Sequence, residues 1–568
     1  MRKYISFFLA SFIAMSVHAQ QKAPKWMDKQ KQAVVVITTY NKDNKELRKG
    51  TGFFVSETGE LLSSYSVLKN ADHAVVKDAK GKEYEVSRVI GADELYDVIR
   101  LRADVDKKVA FLVIADQKPA EGSTAYLMPF SEGKIKNFGS GKINDVTKLK
   151  GDYSYYELSI PINHDWVNSP IMTEDGKVIG LAQEDASGNK ERSFAVSAAY
   201  ARSLTIQAMD VLNSTYSGLG IRKAWPENAE QAQVMLMLLQ GKQDAKTYLE
   251  TLNDYIQAFP SNTDAYLSRA SHYAYFRKEL GANSLDMAMN DIRSYQDKVD
   301  DKSEGLYQEA KLVYGVASSD SLLNNGSWSV ESAKAKLNEA ISESDKPLYH
   351  QLMADIYVNE GNMQQAYDEY MIVNKSDIAS PSTWYMAAKL REKMPNVNIG
   401  EIINLLDSAI VAGESSPKPE IAPFVLERID WKLKLTKYRE AIADYDLYYQ
   451  MMNGNVNDSF YYFREQAKFR ANDLDGALAD IKEAIKMAPD NATYLAEEAS
   501  VLIRKEQYAE ALASVDKALA LAPDFAACHR LRGVSLIRQK KMDEAKVSLL
   551  KASELGDKVA DRLLKDNY

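Results

Sequence analysis

Cysteine is nearly absent from this chain. Among 568 residues there is a single one, Cys528, so an intrachain disulfide, a Cys-x-x-Cys redox pair and a thiolate zinc site are all excluded. Histidine is scarce as well. His272, His350 and His529 are scattered without HxxxH or HExxH spacing, so no metal site is expected. An excess of positive charge is also missing: 71 Lys and Arg stand against 80 Asp and Glu, a formal charge of -9. Proteins that coat phosphate backbones need the opposite balance, and nucleic acid is not an expected partner. The run GSGK at 139–142 lacks the flanking residues of a phosphate-binding loop, because Lys136 and Ile143 stand where Gly and Ser or Thr are required. Neither nucleotide nor any other cofactor is expected. No apolar run has the roughly 20 residues that cross a bilayer.

What is present suits globular cores: 45% of residues are hydrophobic and 27% charged. Residues 1–19, MRKYISFFLASFIAMSVHA, place Arg2 and Lys3 before an apolar stretch from Tyr4 to Met15 and small residues around Ala19. That is the pattern of a secretory signal peptide, so export is expected, to the periplasm of a Gram-negative bacterium or beyond the cell. No cysteine follows that could accept a lipid.

Residues 25–212 read as all-β. Short runs such as QAVVVITTY, GTGFFVSETGELLSS, DVIRLRAD, TAYLMPF, YYELSI and KVIGLAQ are separated by turn formers, with Asp175-Gly176 as a strong hairpin signal. Residues 213–225 carry the turn formers of a linker, and 226–568 read as amphipathic helices. Near the end of this second half small residues recur 34 positions apart: Ala477, Ala511 and Ala545 in one column, Ala484, Ala518 and Ala552 in another. Helices approach closely only where side chains are small, so these columns, with Ala499 and Gly533, mark helix contacts. A two-helix unit of this length is the tetratricopeptide signature, and counting through the insertions gives about eight or nine units before a capping helix. The fold class expected is an N-terminal trypsin-like double β-barrel followed by an all-α superhelix of such repeats.

The trypsin-like expectation rests on motifs in order. GTGFFVSETGELLSSYSVL resembles the GSGF and T-x-x-HVV segment of the HtrA-type serine peptidases of bacterial envelopes, and ELYDVIRLR resembles their D-[LIV]-A-[LV]-L-[KR]. IPINHDWVNSPIMTEDGKVIGL is similar to their INPGNSGGPL and VIGI segment, and SFAVS to GFAIP. The resemblance covers nearly all of residues 31–210 and implies a hydroxyl nucleophile, an imidazole base and an orienting acid. The acid is retained as Asp97. The histidine position is Ser66, the nucleophile position is Val167 followed by Asn168 and Ser169, and a gapped alignment makes Ser169 the nucleophile instead. His73 and His164 are the only histidines in this half that could act as a displaced base. Losing base and nucleophile together forfeits nearly all of the triad's chemistry, so a pseudopeptidase is expected.

In the helical half, Lys434, Arg470, Arg504 and Arg538 recur just before the turn inside successive repeats. Such a column could engage carboxylates of an acidic protein or peptide partner. It could also complement helix dipoles. At the offsets where tetratricopeptide modules clamp a chain terminus with Lys and Asn, this sequence has Tyr462, Ala496 and Arg530, then Gln466, Ser500 and Val534. The function expected is an exported, non-catalytic adaptor that binds proteins. The alternative is an atypical serine endopeptidase that uses Ser169 and selects substrates with its repeats.

Overall fold

A computed structural model describes residues 22–568 apart from 136, 321–322, 324–325 and 414–417. The signal-peptide expectation for residues 1–19 and the Lys136 position lie outside the described residues. The chain divides into two compact units, one up to Asp291 and one from Ile292.

The first unit opens with twelve strands. β1 (Val34–Tyr40), β2 (Glu46–Phe54), β3 (Glu60–Ser63), β4 (His73–Lys77), β5 (Glu83–Asp93) and β6 (Val98–Ala103) close into a barrel in the order β1-β2-β3-β6-β5-β4. β7 (Thr124–Leu127), β8 (Gly139–Lys148), β9 (Ser154–Leu158), β10 (Pro170–Met172), β11 (Val178–Glu184) and β12 (Ser193–Ser197) close into a second, ordered β10-β11-β12-β9-β8-β7. Every pairing is antiparallel.

Period-2 alternation explains why these strands read as unbroken apolar runs. Val35, Phe54 and Leu61 fill the first barrel. Their chain neighbours Val34, Phe53 and Leu62 point the other way and meet Met128, Leu181 and Val196 of the second barrel in a separate core. Both faces are thus buried at the start of β1, the end of β2 and along β3, and polar residues return only at the end of β1 and in the exposed first half of β2. The Asp175-Gly176 signal is a turn in which Gly176 takes φ 79° and Thr173 N–H donates to the carbonyl of Lys177 at 2.8 Å. GSGK lies within β8.

The segment 213–225, expected as a linker, is a packed strap. Gly220 N–H donates to the carbonyl of Ala71 at 2.7 Å, and Val89 N–H to that of Arg222 at 2.8 Å. Tyr216, 4% exposed, receives a hydrogen bond from Ala92 N–H at 2.9 Å on its hydroxyl. The first helical hairpin, Ala229–Gln240 and Ala245–Ala258, is tied to the barrel through Asp254. That carboxylate accepts both Nη atoms of Arg88, one of them at 2.9 Å, and the indole N–H of Trp225 at 2.8 Å.

Among the described residues the helical region comprises nine successive pairs and a closing helix, Lys558–Asn567, in line with the unit count read from the repeat. The three-membered alanine columns are fully buried. A Cβ on Gly533 would stand 2.6 Å from the Leu549 side chain, which is why the smallest residue holds that contact. Cys528 is buried in this packing, and burial pushes its thiol up to about 11.

Candidate functional site

The strand order brings the β2 start, the β3–β4 connection and the loop before β10 around an open cleft of about 530 Å³, lined among others by Arg48, Lys49, Thr51, Ser64, Ser66, His164, Val167 and Asn168. Ser66 is the second residue of a one-turn helix, Tyr65–Leu68, that follows β3. Asp97 sits opposite it in the left-handed region at φ 51°. Its Oδ1 accepts the backbone N–H of Ser66 at 2.7 Å and its Oδ2 accepts the Ser66 hydroxyl at 2.9 Å. Burial raises the pKa of this carboxyl, and the two bonds from Ser66 oppose that rise. Both oxygens of Asp97 are therefore engaged by Ser66 at the start of this short helix.

The loop before β10 is equally committed. His164–Trp166 form a turn of 3₁₀-helix. Val167 N–H donates to the carbonyl of His164 at 3.3 Å, Asn168 N–H to Ala182 at 2.8 Å and Ser169 N–H to Trp166 at 3.2 Å. Backbone amides that stabilise a tetrahedral oxyanion must be free and convergent, whereas two of these are spent within the loop and the third on β11. Asn168, buried and at φ 65°, turns its amide onto the Ser64 hydroxyl at 2.8 Å and forms the floor of the cleft.

Ser169 is 0% exposed, and its Oγ has no hydrogen-bond partner among the described residues. The structure brings no histidine to it. His73 stacks on Tyr40 with ring centroids 5.1 Å apart and faces Asp72 at 3.3 Å. The His164 side chain is 92% exposed and approaches Glu184 at 3.8 Å. Of the residues singled out from sequence, Ser66, Val167 and His164 line the cleft and Asp97 supports its wall. Sequence reasoning missed the Ser64–Asn168 floor and the Arg48-Lys49 rim. The one available signal was the position of these two cations directly before the GTGFF segment.

The sequence pattern of the trypsin-like peptidase domain matches residues 50–181, the stretch that builds this cleft, and that of the tetratricopeptide repeat matches residues 466–524 and 496–554. The chain joins a trypsin-like peptidase domain to tetratricopeptide repeats. Similar proteins include the serine protease HTRA1 of Xenopus tropicalis, 26% identical over 229 residues, covering 38% of this chain and 46% of that protein. A probable periplasmic serine endoprotease, DegP-like, of Halomonas elongata is 26% identical over 185 residues, 31% of this chain and 37% of that one. The anti-sigma-I factor RsgI9 of Acetivibrio thermocellus is 26% identical over 151 residues, 26% of this chain and 21% of its own length. The chain spans less than half the length of these relatives.

In the repeats, Lys434, Arg470, Arg504 and Arg538 are the last residues of helices Lys418–Lys434, Asp458–Arg470, Ala492–Arg504 and Ala526–Arg538. All four are exposed, and among the described residues none forms an ion pair. They stand on the turn edge of the repeats, where three of the four cations lie near an aromatic ring. Arg470 lies 5.9 Å from the ring of Tyr438, Arg504 5.9 Å from that of Phe469 and Lys434 3.6 Å from that of Trp431. At the offsets of the terminus clamp, Tyr462 packs on Tyr494 and Arg530 donates to Asp557 at 2.7 Å.

Proposed function

We propose that this protein is an exported, non-catalytic adaptor of the bacterial envelope, in which the peptidase-shaped domain and the repeats bind other proteins. The observation that carries the reading is the cleft itself: a serine bonded to the retained acid stands at the base position, and a valine stands at the nucleophile position with its amide committed. The one imidazole on the cleft, His164, points to solvent beside Glu184 and reaches no serine hydroxyl, and the amides of the loop before β10 are already bonded, so a carbonyl entering the cleft meets no acyl-transfer chemistry. Its Arg48-Lys49 rim and hydroxyl-lined floor instead suit an extended peptide held by polar contacts. Export is supported by the pattern of residues 1–19 and by the likeness to a probable periplasmic endoprotease.

The test is incubation of the mature protein with a fluorophosphonate probe and, separately, with an unfolded protein substrate. The expected result is neither labelling nor cleavage. Labelling at Ser169 that Ser169→Ala abolishes would establish the atypical endopeptidase instead.

The repeats supply the second surface. Exposed guanidinium groups on successive turns fit carboxylates of an acidic partner, whereas dipole complementation alone contributes about 0.3 to 1 kcal/mol per cation. The double variant Arg470→Glu/Arg504→Glu is expected to lower capture of acidic envelope proteins several-fold at unchanged helicity. Equal capture by the variant would leave these cations as helix-end residues only.

A further inference from the structure

Between the strap and the first helical hairpin, wholly within the first unit, lies a cavity of about 260 Å³. Val211, Met235 and Leu239 form its apolar wall, and Thr247 and Thr251 bring hydroxyls. Its charges are unequal. Glu250 is held by Arg222, and Asp254 by Arg88 and Trp225, so both lining carboxylates already have partners. Lys223 also lines the cavity, and its ammonium donates to the carbonyl of Leu219. Among the described residues no carboxylate pairs with it: the three cations Arg88, Arg222 and Lys223 face two acids.

A desolvated ammonium without a counter-ion is costly. Burial alone, opposed by no acid, holds this one down at about 8. A ligand carboxylate would supply the missing charge, and its aliphatic part would cover the apolar wall. We propose that this cavity binds a small carboxylate bearing a short aliphatic chain, with Lys223 as the residue that receives the carboxylate. The site is separate from the peptidase-like cleft and does not depend on the reading of that cleft. The same chemistry is offered by a free aliphatic acid and by the C-terminal residue of a peptide.

Octanoate, its neutral analogue octanamide, and a tripeptide ending in leucine as free acid or amide are titrated into the full chain by calorimetry. Octanoate or the free-acid tripeptide is expected to bind with one-to-one stoichiometry, and the stronger of the two identifies the source. The neutral analogues and the Lys223→Met variant should bind about tenfold more weakly or worse, as befits loss of a charged hydrogen bond. In the wild-type chain the bound carboxylate should slow acetylation of Lys223 by an activated ester, read by peptide mass spectrometry, while the exposed Lys107 reacts as before. This second measurement does not depend on the variant folding. Absence of binding by either carboxylate at millimolar concentration, equal binding by Lys223→Met, or unchanged acetylation of Lys223 in the presence of ligand overturns the proposal.

Discussion

Replacing Asp480 by alanine is expected to destabilise the helical half by about 3 kcal/mol, the cost of removing the buried carboxylate that two half-buried cations share, Arg464 keeping only Asp446 at 3.0 Å. Asp480, 4% exposed, accepts Nε and Nη2 of Arg464 at 2.8 and 2.6 Å, and Nζ of Lys468 at 2.8 Å. The Arg464 guanidinium lies 5.1 Å from the Phe460 ring, so it cannot swing into water without uncovering that ring. The same node stands one repeat earlier, where Asp444 accepts Arg428 at 2.9 and 2.6 Å and Lys432 at 2.8 Å. One repeat later it is neutralised in part, with the Ser514 hydroxyl donating to Glu498 at 2.7 Å. Denaturant unfolding followed by far-UV circular dichroism measures the loss. A change below about 1 kcal/mol, the range of exposed ion pairs, would show that the node is solvated and the buried-pair argument wrong.

The opposite effect is expected at the residue that follows Arg464. Glu465→Gln should stabilise the helical half by about 3 kcal/mol above pH 7, with little gain at pH 5. Glu465 is 0% exposed. Its Oε2 accepts the Gln466 amide at 2.6 Å, whereas Oε1 has no partner among the described residues. Burial first, then the neighbouring Glu497 and Asp480, push its carboxyl up to about 7, against the bond from Gln466. The folded value lies above the ordinary carboxylate range, so the folded state holds the extra proton. Stability therefore falls as pH rises from about 4.5 to 7 and stays reduced beyond. The glutamine keeps an acceptor for Gln466 and has no charge to desolvate. Thermal melts of both proteins across this range test the point, and parallel pH profiles would sink it. Because Asp480 contributes to the field at Glu465, the two substitutions should not be additive.

Much of the architecture was legible in the chain. The order of the motifs places Asp97, Ser66 and Val167 around one cleft, and the spacing of Ala477, Ala511 and Ala545 gives the helical unit, because both are local or strictly periodic patterns. The nodes at Asp444 and Asp480 were visible in principle, since Arg428 and Lys432 recur as Arg464 and Lys468 with the acid at the same distance downstream. Attention to small residues passed over them. The segment 213–225 read as a tether because its turn formers are real, but its partners on β5 and beside β4 lie far away in sequence.

The amino-acid order by itself settled the strand and helix periods, the repeat length and the placing of Ser66, Asp97 and Val167 together, since these follow from neighbours along the chain and from the order of the motifs. Tertiary structure alone decided that the Ser169 hydroxyl is shut away, that the amides of 167–169 are already bonded, and that the Lys223 ammonium has no counter-ion among the described residues. Desolvation and hydrogen-bond saturation are sums over segments that meet only when the chain has folded, so no local pattern encodes them.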